Sequence, residues 1–122
     1  MAKKKKSQSG SGKRERYIQP SLLMGLLMKP SYGYELIHRL QEFGFFKAEA
    51  PPGMVYRHLR QLEEAGLVLS EWKTEGAGPA KRTYAITEEG KEMLGLWIDH
   101  MEAQANTLRK FVETYRRMGN EG

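Results

Sequence analysis

Proline and glycine residues divide this chain of 122 residues into short segments. Lys29-Pro30 follows a first apolar segment, Pro51-Pro52-Gly53 precedes a later one, and the glycine-rich loop EGAGPAKR separates two further segments. Both residue types interrupt helices, proline because it lacks an amide hydrogen and clashes with the preceding turn. A chain of this length holds one domain, so the segments between these breaks must share one small core.

Three of the segments are predicted to be helices. SLLMGLLM, from Ser21 to Met28, is almost entirely apolar and must be buried on most sides. YGYELIHRLQEFG follows, with Ser31 as its N-cap and Gly44 as its end, and MVYRHLRQLEEAG ends at Gly66. The apolar positions that recur at helical spacing are Leu36, Ile37, Leu40 and Phe43 in the second helix and Val55, Leu59 and Leu62 in the third.

The C-terminal half is predicted to form a β-hairpin and one long helix. LVLSEWKT and RTYAI are β-prone and flank the glycine-rich loop. Thr87 is a suitable N-cap for a last helix that runs from Glu88 to Met118. That helix would be roughly 45 Å long at about 1.5 Å per residue. A domain of this size has a radius of gyration of only about 14 Å, so the helix must project past its own core.

This order of elements predicts a mainly α fold with a small β-hairpin (α+β). We expect a winged helix-turn-helix domain at 17–87 and a C-terminal dimerisation helix at 88–118. Residues 1–16 contain seven of the 20 basic residues and one of the 15 acidic residues, which leaves 13 basic and 14 acidic residues elsewhere. This tail is predicted to be disordered, and is either an arm that follows DNA phosphates or a solubilising segment. Any nucleic-acid surface on the rest must be a local patch.

Several classes of site are excluded or unsupported. The chain has no cysteine, which excludes disulfides, thiolate zinc sites and cysteine nucleophiles. His38, His58 and His100 lack the spacing of metal ligands, and no phosphate-binding or nucleophile motif is present. No apolar run reaches the roughly 18 residues that span a bilayer. We therefore expect a cytoplasmic protein that is not an enzyme and needs no cofactor.

The third helix carries the strongest signal for nucleic-acid binding. If Val55, Leu59 and Leu62 face inward, the 100° step per residue turns Gly53, Arg57, Arg60, Gln61 and Glu64 outward. Arginine favours guanine edges and glutamine favours adenine edges. The alternative is an ordinary solvated helix face. Because the helix order is that of a winged helix, we interpret the face as a DNA contact.

The hairpin loop has the composition of a wing. Lys73, Lys81 and Arg82 surround its glycines, and cations on a short loop suit contact with phosphates. An ordinary turn with normal surface charge is the alternative. The neighbouring third helix favours the wing.

Three stretches resemble the PadR family of transcriptional regulators, in its short-tailed branch. They are SYGYELIHRLQEFG, PPGMVYRHLRQLEEAGLVLSEW and GPAKRTYAITEEGKEML, which together cover most of residues 31–94. Within the family the chain looks closest to regulators associated with polyhydroxybutyrate metabolism. Met54 and Arg57 depart from the usual family pattern, in which a small hydroxyl residue and a proline are common at these positions, so the operator sequence does not follow from the resemblance.

The resemblance implies a dimer with crossed C-terminal helices, a third helix in the major groove, and wings on the neighbouring backbone or minor groove. It also favours a phosphate contact for the Tyr56 hydroxyl over packing of its ring on the preceding helix. The residues predicted to contact DNA are Gly53, Met54, Tyr56, Arg57, Arg60 and Gln61 in the helix and Lys73, Lys81 and Arg82 in the wing. The predicted dimer interface consists of Leu94, Trp97, Met101, Leu108, Val112 and Tyr115.

The predicted function is sequence-specific binding of double-stranded DNA by a homodimeric repressor. Its two half-sites should lie roughly 10 bp or a multiple apart, as a two-fold dimer requires. One alternative is a regulator that also binds a flat aromatic effector near Trp97 at the dimer axis, as some members of the resembled family do. Another is a winged-helix module that binds protein instead of DNA, which the mixed charge of the folded part would allow.

Overall fold

The computed structural model describes residues 15–74 and 76–121. They form four helices and three strands: α1 (Ile18–Met28), β1 (Ser31–Tyr32), α2 (Gly33–Glu42), α3 (Pro52–Glu64), β2 (Val68–Lys73), β3 (Lys81–Ile86) and α4 (Glu88–Glu121). This order confirms the predicted winged helix-turn-helix with a long C-terminal helix. Most of the predicted tail, residues 1–14, lies outside the described residues.

Helix α1 lies at the centre of the core. Its apolar side chains Ile18, Leu22, Leu23 and Leu26 are almost completely buried, since α2, α3, α4 and β3 all pack against it. The surrounding elements complete the core with Leu36, Ile37, Leu40, Phe46, Ala50, Val55, Leu59, Leu62, Val68, Tyr84 and Leu94. Full burial of one such aliphatic or aromatic side chain stabilises the fold by about 1.5–3 kcal/mol.

The hairpin forms an antiparallel sheet with a third, unpredicted strand. Strand β3 lies in the middle, and β2 pairs with it from Val68↔Ile86 to Lys73↔Lys81. Strand β1 covers the other edge of β3 through Ser31↔Tyr84 and Tyr32↔Thr83. A strand of two residues is too short to show the alternation of apolar and polar residues by which strands are recognised.

Ser31 is not the N-cap of α2 that the sequence predicts. It lies in β1, where its buried hydroxyl donates to the Lys29 carbonyl at 3.0 Å and accepts from Arg39 Nη1 at 2.8 Å. Helix α2 begins two residues later, and the Glu35 carboxylate accepts from the Tyr32 amide at 2.8 Å. The hydroxyl of Ser31 is therefore used to join the turn after α1 to the body of α2.

The start of α4 is fixed by contacts with the end of α3 and with the connection that follows it. Thr87 caps the helix as predicted, because its hydroxyl oxygen accepts from the Gly90 amide at 2.9 Å. The same hydroxyl donates to the carbonyl of Gly66, whose φ of +79° ends α3. Further along α4, all side chains from Glu102 to Asn120 are exposed. None of the described helices is both long enough and apolar enough to span a bilayer.

Gly90→Ala is expected to destabilise the protein. An added Cβ would lie 2.2 Å from the Leu67 carbonyl oxygen and 2.7 Å from the Ile86 side chain, so α4 would have to shift. We expect a loss of about 1–3 kcal/mol in the free energy of unfolding, measured by urea titration. Gly95→Ala is the matched control, because a Cβ there meets nothing within 4 Å and should stabilise the helix by about 0.5–1 kcal/mol. Equal effects of the two substitutions would contradict this account.

Candidate nucleic-acid interface

The outer face of α3 is presented as the helical periodicity predicts. Val55, Leu59 and Leu62 are buried in the core, and the opposite side of the helix is exposed. The exposed side chains there are those of Arg57, Arg60, Gln61 and Glu64, and Gly53 adds exposed backbone at the start of the helix. Met54 instead packs in part against the core from the edge of α3, which makes it the weakest of the predicted contacts.

One flank of this face is held by the residues around the start of α1. The Glu15 carboxylate pairs through Oε2 with the guanidinium of Arg57 and with His58 Nε2, the latter at 2.9 Å. Gln19 Nε2 lies 3.0 Å from His58 Nδ1 and donates to Gln61 Oε1 at 3.1 Å. The hydrogen bond from His58 and the charge of Arg57 hold the pKa of Glu15 below its usual value, so the carboxylate is ionised. Glu15, expected in the disordered tail, therefore belongs to the folded part.

The other flank is formed by Tyr56 and the first turn of α2. An added Cβ on Gly33 would lie 2.4 Å from Tyr56 Cε1 and 2.6 Å from its hydroxyl, so the ring rests directly on that glycine. The Tyr56 ring thus packs on the preceding helix, which is the alternative that the sequence left open. The residue is still 39% exposed, and a phosphate contact by its hydroxyl stays a prediction.

The wing is tied to α3 by a polar network. Arg82 Nε donates to Ser70 Oγ at 2.9 Å, and Ser70 Oγ donates to Glu63 Oε2 at 2.7 Å. The Arg82 guanidinium also lies 3.5 Å from Glu63 Oε1 and 5.6 Å from the ring centre of Trp72. These contacts span β2, β3 and α3. They set the position of the wing relative to the outer face of α3.

An aromatic cleft separates the wing from the start of α2. The ammonium of Lys81 lies 5.5 Å from the ring centre of Tyr32 and 5.6 Å from that of Tyr34, and the two rings stack 5.7 Å apart. The cleft has a volume of about 380 Å³ and is lined by Tyr32, Gly33, Tyr34, Tyr56, Trp72, Lys81, Arg82 and Tyr84. Sequence reasoning overlooked Tyr32, Tyr34, Trp72 and Tyr84. The outward position of Trp72 in an alternating strand was the one available signal.

Tyr84 lies at the bottom of this cleft. It is 6% exposed, and burial raises the pKa of its hydroxyl, a tendency that the nearby Arg82 opposes. The hydroxyl is therefore neutral at physiological pH. It can act as a hydrogen-bond donor toward an acceptor that enters the cleft.

The predicted cations differ in whether they are already paired. Arg57, Lys73 and Arg82 each have a glutamate within ion-pair distance: Glu15, Glu71 and Glu63, respectively. Within residues 15–74 and 76–121, Arg60 and Lys81 form no ion pair with a carboxylate. For a phosphate to meet these two, no carboxylate of the described residues has to be displaced.

The predicted dimer stripe on α4 is only partly available. Leu94 corrects that prediction, because it is 4% exposed and packs in the core of its own protomer. Trp97 and Met101 are half-buried, and Leu108, Val112 and Tyr115 are exposed. The structure adds Phe111 and Met118 to the exposed stripe at helical spacing.

A second cleft borders the same helix. It has a volume of about 600 Å³, and its walls include the stacked rings of Tyr17 and Phe45 together with Met101 and Leu108 of α4. Trp97 lies outside this lining and contacts His100, with ring centres 6.5 Å apart.

The histidines lie in three separate settings. His58 belongs to the network on α3, His38 lies 2.8 Å from a Glu49 carboxylate oxygen, and His100 contacts Trp97. In the part of the chain that the structure describes, no group of three or more His, Asp or Glu side chains is arranged to hold a metal ion.

Solved structures with this fold include regulators of one family. A PadR family transcriptional regulator from Eggerthella lenta superposes with a TM-score of 0.72 and 27% identity, covering 93% of this chain and 98% of that one. The crystal structure of Bacillus subtilis PadR in complex with operator DNA gives a TM-score of 0.60 and 25% identity, covering 68% of this chain and 47% of that one.

Sequence comparison leads to the same family. A probable transcriptional regulator of Mycobacterium tuberculosis is 33% identical over 79 residues. The match covers 64% of this chain, and the chain spans only 41% of that protein. The model of the transcriptional regulator PadR-like family matches residues 22–96, from α1 into α4. Because that match includes the whole of the outer face of α3 and the wing, the chain belongs to the PadR-like family of transcriptional regulators.

Proposed function

We propose that this protein is a cytoplasmic transcriptional repressor that binds double-stranded DNA sequence-specifically as a homodimer. The observation that carries the proposal is the outer face of α3, where Arg57 and Arg60 stand exposed between the wing and the residues around the start of α1. Membership of a regulator family supports this reading over an enzyme. The finer likeness to regulators of polyhydroxybutyrate metabolism stays a prediction.

Binding would place α3 in the major groove and the wing against the backbone. Arg57 keeps N–H donors beyond the one used by Glu15, and two parallel donors suffice to read the O6 and N7 atoms of guanine. Lys81 and the tyrosine hydroxyls of the aromatic cleft offer donors to phosphates, which position the protein without reading sequence. B. subtilis PadR was crystallised in complex with operator DNA, which supports DNA binding by this chain.

Dimerisation is proposed from the exposed stripe on α4. Phe111 is 77% exposed and Tyr115 is 74% exposed in the protomer, an arrangement that favours aggregation unless another surface covers it. The stripe runs into the apolar cleft beside Tyr17 and Phe45, which offers a second surface for the α4 helix of a partner. Two copies related by a two-fold axis would cover both surfaces and supply two α3 helices for an inverted repeat.

A flat aromatic effector near Trp97 is the second candidate. Trp97 is half-buried against His100 and lies on the same helix as the proposed dimer contacts. Since it does not line the large cleft of the protomer, such a site would need the α4 helix of the partner as its other wall. A module that binds protein alone is disfavoured, because the outer face of α3 presents Arg57, Arg60 and Gln61, residue types that suit base edges and phosphates.

Arg60→Ala and Arg57→Ala should each weaken operator binding by about 1–3 kcal/mol if the arginine reads a base. Thermal stability should change little, because both side chains point away from the core and Arg60 forms no ion pair within the described residues. Fluorescence anisotropy with a duplex selected by the wild-type protein measures the effect. Lys47→Ala removes one charge from the α2–α3 loop as a control. Unchanged operator affinity in both arginine variants would exclude α3 as the reading helix.

The tail should contribute affinity without specificity. Deleting residues 1–14 removes six of the basic residues and keeps Glu15, which contacts α3. Binding to all duplexes should weaken alike, and the negative slope of log K against log salt should become shallower by about 0.9 for each phosphate that the tail no longer neutralises. A full-length variant with those six residues replaced by Gln separates charge from length. An unchanged slope in both proteins would show that the tail makes no contact with DNA phosphates.

Charged residues on the α4 stripe should produce monomers. Leu108→Asp combined with Val112→Asp places two carboxylates in the proposed interface, where their desolvation is costly. Asn106→Asp combined with Thr114→Asp adds the same charge at polar positions off the stripe. Sedimentation should show a dimeric wild type and control and a monomeric stripe variant that keeps only weak, non-specific DNA binding. A monomeric wild type at micromolar concentration, or a dimeric stripe variant, refutes the interface.

A further inference from the structure

The residues around the start of α1 restrain three polar positions on one side of α3. One oxygen of Glu15 receives both the Arg57 guanidinium and His58 Nε2, and Gln19 joins His58 to Gln61. More than 40 residues separate Glu15 from its two partners, so the contacts exist only in the folded protein. Both residues predicted to read bases on this side, Arg57 and Gln61, are thus held from outside their helix.

The ion pair with Glu15 restrains Arg57 but leaves most of its N–H donors available. A guanidinium has five N–H donors, and the contact with Glu15 occupies Nη2. The Arg57 side chain remains 52% exposed, so its other donors face solvent on the outer face of α3. A long side chain loses rotational entropy when it is fixed on a base edge, and restraint before binding reduces that loss.

The amide of Gln61 is restrained through a relay. His58 has a side chain only 12% exposed, and it links the ionised Glu15 to Gln19. Gln19 then donates to Gln61 Oε1. This hydrogen bond fixes the orientation of the Gln61 amide, with its oxygen toward Gln19. Reading adenine requires the oxygen and the nitrogen of a glutamine amide in a defined orientation. The relay therefore supplies what a base contact by Gln61 needs.

We propose that Glu15 and Gln19 are positioning residues that set the DNA sequence preference of α3. The inference rests on the proposed function. The negative charge of Glu15 has a further effect, because a carboxylate beside DNA repels phosphates of every sequence equally. Glu15 should therefore lower affinity for random DNA while it raises the preference for the operator.

Glu15→Gln tests this prediction in a double-mutant cycle with Arg57→Ala. The probes are a duplex selected by the wild-type protein from a random pool and a random duplex of the same length. Arg57→Ala should lower the operator-to-random affinity ratio about 5- to 150-fold, the range for one bidentate base contact. Glu15→Gln should lower the ratio about 3- to 10-fold while random-DNA binding tightens, and in the Arg57→Ala background it should lower the ratio by a clearly smaller factor, because only the restraint on Gln61 is then left to lose. Glu64→Gln is the control, since it removes an exposed α3 carboxylate that has no ion pair within the described residues.

The possible outcomes separate this inference from the proposed function. If the wild type selects no motif, or Arg57→Ala keeps full operator preference, the proposed role of α3 fails. If Arg57→Ala loses preference but Glu15→Gln changes both affinities by one factor, as Glu64→Gln should, the positioning role is refuted and DNA binding stands. Additive losses in the double variant also refute it. If Glu15→Gln lowers the melting temperature enough to prevent binding assays, Gln19→Ala in a cycle with Gln61→Ala tests the other restraint, with a sub-additive loss of operator preference expected and an additive loss refuting it.

Discussion

Burial of α1 is the constraint on which the rest of the structure depends. A helix of 11 residues with apolar side chains on nearly every side cannot lie at the surface, so other elements must cover it from several directions. Helices α2, α3 and α4 and strand β3 do so. Once the side chains of Val55, Leu59 and Leu62 are used for that purpose, the orientation of α3 about its axis is fixed. The exposure of Arg57 and Arg60 is a consequence of covering α1.

The charged side chains of the folded part align its elements with one another more than they attract DNA. Three of the cations predicted to contact DNA already have a glutamate partner, and two of these pairs, Arg57–Glu15 and Arg82–Glu63, join separate elements. A paired cation displaces little of the counterion atmosphere of DNA, so the domain itself should have modest affinity for arbitrary sequences. In the proposed function, the basic residues of 1–14 then provide most of the affinity for arbitrary DNA. The aligned side chains of α3 provide the discrimination between DNA sequences.

Sequence periodicity was sufficient for the four helices and the hairpin, but it missed the short strand β1 and could not predict which distant residues contact one another. Helical spacing and glycine stops located α2 and α3, and the inward stripe of α3 was predicted residue by residue. Periodicity could not show that Glu15 reaches Arg57, or that Lys81 lies over Tyr32 and Tyr34, because such contacts depend on how distant segments pack. For the same reason it could not separate Leu94, covered by its own core, from the rest of the α4 stripe.

The junction at Thr87 connects the wing to the proposed dimer contacts. Strand β3 ends at Ile86 and α4 begins at Glu88, so one residue separates the wing strand from the helix. The Thr87 hydroxyl donates to the Gly66 carbonyl and accepts from the Gly90 amide, and these bonds, with the close approach of Gly90 to Leu67, leave little freedom there. A helix of 34 residues is about 50 Å long, so a small change of direction at its start displaces its far end by a large distance. In the proposed dimer, the separation of the two α3 helices is therefore set at this junction as much as at the exposed stripe. Half-site spacing on DNA should depend on residues that contact neither DNA nor the partner.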